Sequence, residues 1–323
     1  MNIEDLKKVP KPYKKEAASQ FSKLAKIKKI PLLRGVHLSD IIKKISSKIA
    51  LFTRKGRSQK RAWQIVETAR YEGRPQTKDY IEKICDEFIE LKGDRLFRED
   101  PSIVGGLGLI EGKSVVIIGH QKGKTTEERL HYNFGMASPE GYRKSQRLMK
   151  MAEKFMMPII TFIDTPGAYP DVGAEERGQA SAIAHNVLLM SELKIPIIAI
   201  VIGEGGSGGA LALGLADYVM MLQKSIYSVI SPEGCAAILW QDSNSSRLAA
   251  AALKLTSKDL KKLNIIDEII PEPRGGAHKN LDKVAKLIKK SILKTFGELE
   301  QIDSKELKLR RTKKYQEMGI YKE

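Results

Sequence analysis

The chain has 323 residues, 42% of them hydrophobic, enough to bury one large core or two modest ones. Cys85 and Cys235 form no metal or redox motif, the five histidines lack ligand spacing, and no apolar run is long enough to span a bilayer. A metal, a membrane span and a disulfide framework are therefore not expected. The net charge of +17 is uneven, because residues 1–60 hold seventeen Lys and Arg against four Asp and Glu.

That basic segment, 1–60, reads as a partly helical N-terminal arm. It is either a solvated surface or a landing zone for an acidic protein, a CoA tail or nucleic acid. Its few aromatics (Tyr13, Phe21, Phe52) and the lack of a helix-turn-helix or zinc motif make nucleic acid a secondary partner. Residues 63–71 and 78–91 read as helices, the second with Tyr80, Ile81, Ile84, Phe88 and Leu91 on one face. A hairpin follows over 103–120, turning at Glu111-Gly112-Lys113, then a polar loop over 122–138. Pro139 opens a helix whose buried stripe is Leu148, Met149, Ala152, Phe155 and Met156. The strand 158–164 leads into a turn, 165–170, and a long helix over 174–193. The same order repeats: strand 196–202, a glycine turn, a short helix, strand 218–222, and a helix from Pro232 to Trp240 with Ser231 as its cap. A strand at 265–270 and a helix over 280–296 close the core, and the tail from Asp303 is charged and frayed or exposed. Alternating strands and helices with continuous apolar strands predict an α/β fold with mainly parallel pairing. The domains expected are the arm 1–60, a main domain 61–300 and a tail 301–323.

Gly203-Glu204-Gly205-Gly206-Ser207-Gly208-Gly209-Ala210 is the most informative segment. A turn almost without side chains, opening a helix, lets backbone N–H groups touch an anion directly. Gly203, Gly205 and Gly208 spell G-x-G-x-x-G, yet the following helix is too short and Asp217 precedes the next strand, so a dinucleotide site does not fit. A P-loop fails for want of a Lys-Ser or Lys-Thr after the glycines. An oxyanion hole fits better. The turn after strand 158–164 comes from the preceding βα unit, and in an open α/β sheet both turns lie at the carboxyl edge. Amides around Gly167-Ala168 and Gly208-Gly209 would then converge on one developing oxyanion, such as a thioester enolate.

Asp164-Thr165-Pro166-Gly167-Ala168-Tyr169-Pro170, Gly173-Ala174-Glu175-Glu176-Arg177-Gly178-Gln179 and the glycine turn itself resemble the α subunits of bacterial and plastid acetyl-CoA carboxylase carboxyltransferase. So do Asn133-Phe134-Gly135-Met136, Pro139 to Lys144, Val229 to Gly234, and Pro271 to His278. The likeness runs in order from about Trp63 to His278, is weaker beyond, and leaves residues 1–60 unexplained. It implies a crotonase-like (ClpP/crotonase) spiral of ββα units and a cytoplasmic or stromal α2β2 enzyme. That enzyme moves a carboxyl group from carboxybiotin on the biotin carboxyl carrier protein to acetyl-CoA, giving malonyl-CoA for fatty acid synthesis. The β subunit of that family carries a four-cysteine zinc ribbon, so this chain, with two cysteines, would be its partner. The resemblance further implies that Gly208 and Gly209 bind the ureido oxygen of biotin, that Gly167 and Ala168 shape the same pocket, and that Gly205 and Gly206 border the substrate. ATP would be used by the biotin carboxylase component. A Gly208→Val/Gly209→Val double variant is expected to lose transfer while assembling normally.

Other residues have structural readings beside functional ones. Glu175 and Glu176 complement a helix dipole or act as acid or base; Arg177 pairs with those acids or holds an anion. Glu204 caps the turn or serves as a base. Arg143 and Lys144 contact biotin, CoA phosphate or an interface, and His120 and His131 are structural. The Met pairs 156–157 and 220–221 fill core. Alternatives to the carboxyltransferase are a single-chain hydratase or decarboxylase of the same fold, and a nucleic-acid-binding protein acting through the arm.

Overall fold

A computed structural model of the chain describes residues 58–319, together with 18, 19 and 22. The helical N-terminal extension expected over 1–60 lies almost wholly outside the described residues. The chain divides into two units, 1–64 and 65–323, and the second carries the sheet.

After a helical stretch over 65–69, the elements of that unit are α1 (Thr77–Ile84), β1 (Glu87–Glu90), β2 (Ile103–Ile110), β3 (Lys113–His120), α2 (Thr126–His131), α3 (Pro139–Lys154), β4 (Ile159–Thr165), α4 (Val172–Glu176), α5 (Gln179–Glu192), β5 (Ile197–Gly206) and α6 (Ser207–Leu211). They continue as β6 (Tyr218–Leu222), β7 (Ile226–Ser228), α7 (Pro232–Trp240), α8 (Ser246–Ala252), α9 (Ser257–Lys262), β8 (Glu268–Ile270), α10 (Leu281–Leu299) and α11 (Ser304–Gln316). The sheet runs β1-β2-β3-β4-β5-β6-β8, with β7 on the far end of β5. β1, β2 and β3 are antiparallel, and from β3 onward every pair is parallel.

Continuous apolar strands are explained by burial on both faces. In β5, Ile197, Ala199 and Val201 face one core with Leu148 and Met149 of α3 and Met190 of α5. Ile198, Ile200 and Ile202 face the other with Tyr80, Ile81 and Ile84 of α1 and Val284, Ile288 and Phe296 of α10.

Four expectations are corrected. The helix read over 78–91 stops at Ile84, because Cys85 is extended, and Glu87–Glu90 pairs with β2 as an edge strand of alternating exposure. The long helix over 174–193 breaks at Gly178, whose φ of 83° puts it in the left-handed region. The α3 helix ends at Lys154, so Phe155 and Met156 of the expected stripe are exposed. The 122–138 loop contains α2, capped reciprocally by Thr125 and Glu128.

The tail, expected to be charged and frayed or exposed, is partly docked: most of its described residues are exposed, whereas Leu307 and Arg311 are buried. From Asp303 it forms α11, and Arg311 from that helix is buried. All five of its N–H donors are used: Nε and Nη2 on the Asp217 carboxylate at 2.8 Å, Nη1 on the Met190 and Leu193 carbonyls, and Nη2 also on Ile195 O at 2.9 Å. Those carbonyls close the end of α5 and the entry to β5, so a residue that reads as surface charge locks the helix onto the sheet. Arg311→Lys supplies three donors for five acceptor positions, and Arg311→Met leaves Asp217 buried and unpaired. The methionine variant should lose about 3–5 kcal/mol and the lysine variant a substantial part of it, read as falls in thermal midpoint.

Candidate active site

β4 and β5 are parallel neighbours, so their carboxyl ends lie at one edge, with Thr165 opposite Gly205. The turns beyond them touch backbone to backbone. A Cβ on Gly206 would sit 2.2 Å from the Pro166 carbonyl oxygen, and one on Gly209 would sit 2.6 Å from the Gly167 carbonyl carbon and 2.9 Å from the Ala168 nitrogen. A Cβ on Gly203 would strike the Asp164 carboxylate at 2.3 Å. Gly206 and Gly209 are thus required by close packing of the two turns, and Gly203 by the Asp164 side chain beside β5. The two turns are in backbone contact, Gly209 against Gly167 and Ala168.

Open space lies elsewhere. At Gly208 a Cβ would meet only Ile183, at 3.6 Å, and at Gly167 only the Ser207 Cβ, at 3.9 Å. Gly205, expected to border a substrate, is buried between Thr165 and Tyr227, and its vacant side-chain position faces the Tyr227 ring at 2.7 Å. Gly205 and Gly206 therefore serve packing.

The donors also differ from expectation. The Gly167 amide donates to Thr165 Oγ1 at 3.1 Å, and that hydroxyl donates to the Gly167 carbonyl at 2.6 Å, so this amide is engaged within its own turn. Among the described residues no acceptor meets the Ala168 amide. The Gly208 and Gly209 amides lie in the first turn of α6, where no preceding helical carbonyl is available and Gly206 has no side chain to cap it. Ser207 between them has a φ of 53°, rare for a residue with a side chain, as found where surroundings force a turn.

Behind the turns lies a buried ionic network that the sequence did not reveal. Lys122 Nζ sits 2.8 Å from Asp164 Oδ1 and 2.7 Å from Glu204 Oε2. Arg70 Nε reaches Glu204 Oε1 at 2.6 Å, and its Nη1 reaches Glu233 at 2.8 Å. The Glu204 amide donates to Asp164 Oδ1. Burial pushes the Glu204 carboxyl up, but Lys122 and Arg70 outweigh it and hold it at about 2. Burial likewise acts to lower Lys122, and Asp164 with Glu204 more than offset it. Glu204 is therefore an ionised structural anchor, and the base reading does not fit. The available clue was an acid, Asp164, near the end of a mostly apolar strand, since a buried carboxylate requires a cation. A cavity of about 230 Å³ opens beside Pro166, lined by Arg70, Tyr71, Lys122, Arg129, Phe134 and Glu204 among others.

The other weighed residues are occupied by structure. Arg143 pairs with Asp94 at 2.9 Å and Glu140 at 2.8 Å; Arg177 pairs with Glu140 at 2.8 Å rather than with Glu175 or Glu176. Lys144 is buried against Glu99 and the Asp100 carbonyl. His120 ends β3 fully buried beneath the glycine turn, close to the main chain of Phe162 and Gly209, with neither ring nitrogen in a well-formed hydrogen bond. Burial drives its pKa down to about 3, so the ring is neutral. Its imidazole NMR resonances should not titrate between pH 5 and 8, and the activity profile should show no step from it there. Met220 and Met221 are core, whereas Met156 is exposed. Among the described residues no group of three His, Cys, Asp or Glu could hold a metal, and no helix is long and apolar enough to cross a membrane.

The backbone is shared with enzymes that move carboxyl groups. Transcarboxylase 12S, solved with methylmalonyl-coenzyme A and methylmalonic acid, superposes with a TM-score of 0.53 at 18% identity, over 66% of this chain and 41% of that one. The β subunit of geranyl-CoA carboxylase from P. aeruginosa gives 0.51 at 16% identity, again over 66% of this chain and 41% of that one. This is the crotonase-like fold of carboxyltransferases. In sequence, residues 11–319 match the family model described as acetyl co-enzyme A carboxylase carboxyltransferase-like. The acetyl-coenzyme A carboxylase carboxyl transferase subunit alpha of Tolumonas auensis is 55% identical over 284 residues, 88% of each chain. That of Staphylococcus carnosus is 50% identical over 302 residues, 94% of this chain and 96% of that one. The chain belongs to the family of acetyl-CoA carboxylase carboxyltransferase α subunits, transferases whose family function is carboxyl transfer to acetyl-CoA.

Proposed function

We propose that this chain is the biotin-facing half of a two-subunit carboxyltransferase. It receives a carboxyl group from carboxybiotin on a carrier protein and passes it to acetyl-CoA held by a zinc-ribbon β subunit, in an α2β2 enzyme of the cytoplasm or plastid stroma. The observation that carries this reading is the Gly208-Gly209 turn seated on Gly167-Ala168, with backbone amides in its first turn and open space where a side chain at Gly208 would stand.

The residues suit the group. Biotin presents a compact ureido oxygen, and amides without adjacent side chains can approach such an oxygen closely. The Gly208 and Gly209 amides would hold it, with the Ala168 peptide forming the neighbouring wall; Gly167 shapes that wall, its own amide being engaged by Thr165. Biotin supplies the transferable carboxyl group. The chain's own part is to orient the ureido ring and to offer donors already fixed in place. Fixed donors cost no reorganisation during reaction, and loss of one is worth about 3–4 kcal/mol. Separate subunits would thus each stabilise one oxyanion across their interface, and no side-chain base from this chain is required.

The test is reconstitution. The full chain is assayed alone and with the zinc-ribbon subunit for decarboxylation of malonyl-CoA in the presence of biotin. Activity is expected only from the pair. Activity from the chain alone would instead favour a single-chain decarboxylase of the same fold.

A further inference from the structure

Among the described residues, little packs against the end of α7. Ala237, Ile238, Leu239 and Trp240 are consecutive, and all four are exposed. At about 100° per residue four successive positions face every side of a helix. This turn therefore stands clear of the body. Ile238 is 71% exposed, Leu239 63% and Trp240 39%, and Val229, just before the helix, is 77% exposed. Among the described residues, the anchoring falls on the first half of α7, through Cys235 and Ala236 against Ala249 with Ile230 and Leu253 alongside. The end is nevertheless a formed turn: left-handed Gln241 stops the helix and donates its amide to the Ala237 carbonyl.

The chemistry of the peg limits its partner. From Val229 to Gln241 the sole charge is Glu233, and Arg70 neutralises it at 2.8 Å. A helical turn exposed on every side is buried by a socket, and an uncharged peg of Ile, Leu and Trp calls for an apolar socket. Among the described residues, the cavity beside Pro166 and the cleft of about 1080 Å³ at α9 and α11, with Lys262, Arg310, Lys313 and Lys314, are both lined by charge, so neither offers a second copy an apolar socket.

Position supplies the rest. β7 pairs with Glu204, Gly205 and Gly206, and α7 follows it directly. Arg70 joins Glu204 behind the glycine turn to Glu233 in the first turn of α7. A chain that grips α7 is thereby placed against the candidate site. We infer that the second carboxyltransferase subunit docks here, an apolar groove on it closing over Ile238, Leu239 and Trp240 with Val229 at the rim; this rests on the two-subunit reading above. These three side chains form the centre of such a contact rather than its whole area, which for a stable complex is about 800 Å² per partner.

The experiment uses the full chain, its Ile238→Asp/Leu239→Asp and Trp240→Ala variants, and Leu309→Asp as a control at an exposed apolar residue of α11. Each is titrated with the zinc-ribbon subunit by calorimetry, with tryptophan emission, thermal midpoint and light scattering recorded. The double variant should keep its thermal midpoint and bind on the order of a hundredfold more weakly. Its activity should return at saturating partner. Emission of the unsubstituted chain should shift to the blue on mixing, and Trp240→Ala should lose most of that shift. Unchanged affinity in the double variant, with an active unsubstituted pair, overturns the surface and leaves the two-subunit reading standing. An unsubstituted chain that neither binds the partner nor gains activity overturns both. Self-association of the lone chain that the double variant abolishes assigns the peg to a second copy and overturns the inference.

Discussion

Lys122→Met should lower stability by about 3–5 kcal/mol, a large share of what holds a domain folded. The substitution keeps most of the apolar stem and removes the ammonium that sits between Asp164 and Glu204. Arg70 still pairs with Glu204, so Asp164 is left buried without a cation. An unpaired buried carboxylate is relieved by taking up a proton, and the gap between variant and unsubstituted chain should narrow as pH falls from 7 to 5. A Lys122→Met/Asp164→Asn double variant should recover much of the loss in thermal midpoint. If the single variant melts with the unsubstituted chain, the network has no structural weight. In the unsubstituted chain the sign at low pH is opposite. Glu204 is held at about 2 in the fold, below its ordinary 4.5, so its contribution is in place above about pH 4.5 and drains away as pH falls toward 2. Acid unfolding should therefore steepen below pH 4.5.

Gly208→Val and Gly209→Ala should part ways. At Gly208 an added Cβ makes ordinary contact with Ile183, so the valine variant should fold with an unchanged thermal midpoint. Its branches would stand where a ligand must approach the amides, and transfer by the reconstituted pair should fall about a hundredfold or more. At Gly209 even one methyl meets the Gly167 carbonyl group and the Ala168 nitrogen at under 3 Å, and those atoms are backbone. The two turns must separate, at a cost of about 1–3 kcal/mol, so stability and activity should fall together. The double valine variant, expected from sequence to assemble normally, is therefore a poor probe, because its Gly209 half disturbs the packing. Steady-state turnover beside melting curves separates the two effects. Near-normal turnover in Gly208→Val would remove that turn from the site.

The sequence made the two glycine-bearing turns of the candidate site legible because their evidence is local. A strand that is apolar throughout, followed by a turn of glycines and a short helix, fixes backbone geometry within about ten residues, and two such turns in successive βα units must share a sheet edge. The strands β4, β5 and β6 and the start of α3 were readable for the same reason. Where the reading failed, the deciding partner was distant. Glu87–Glu90 carries apolar spacing compatible with a helix, and only the open edge of β2 makes it a strand. Gly167 appeared free to donate, and only the folded turn shows Thr165 Oγ1 accepting its amide.

The amino-acid order alone determined the α/β class and the two glycine-bearing turns, since both rest on short-range spacing and on backbone that can or cannot carry side chains, and its motifs carried the resemblance that implied the family and the crotonase-like fold. Tertiary structure decided which glycines exist for packing and which leave room, that Lys122, Asp164, Glu204 and Arg70 form one buried network, and that Arg311 turns a charged tail into a docked helix. Charge in a sequence reads as solvated surface because it gives no sign of partners many residues away. Only folding brings those partners within hydrogen-bonding distance, and burial then makes their pairing obligatory.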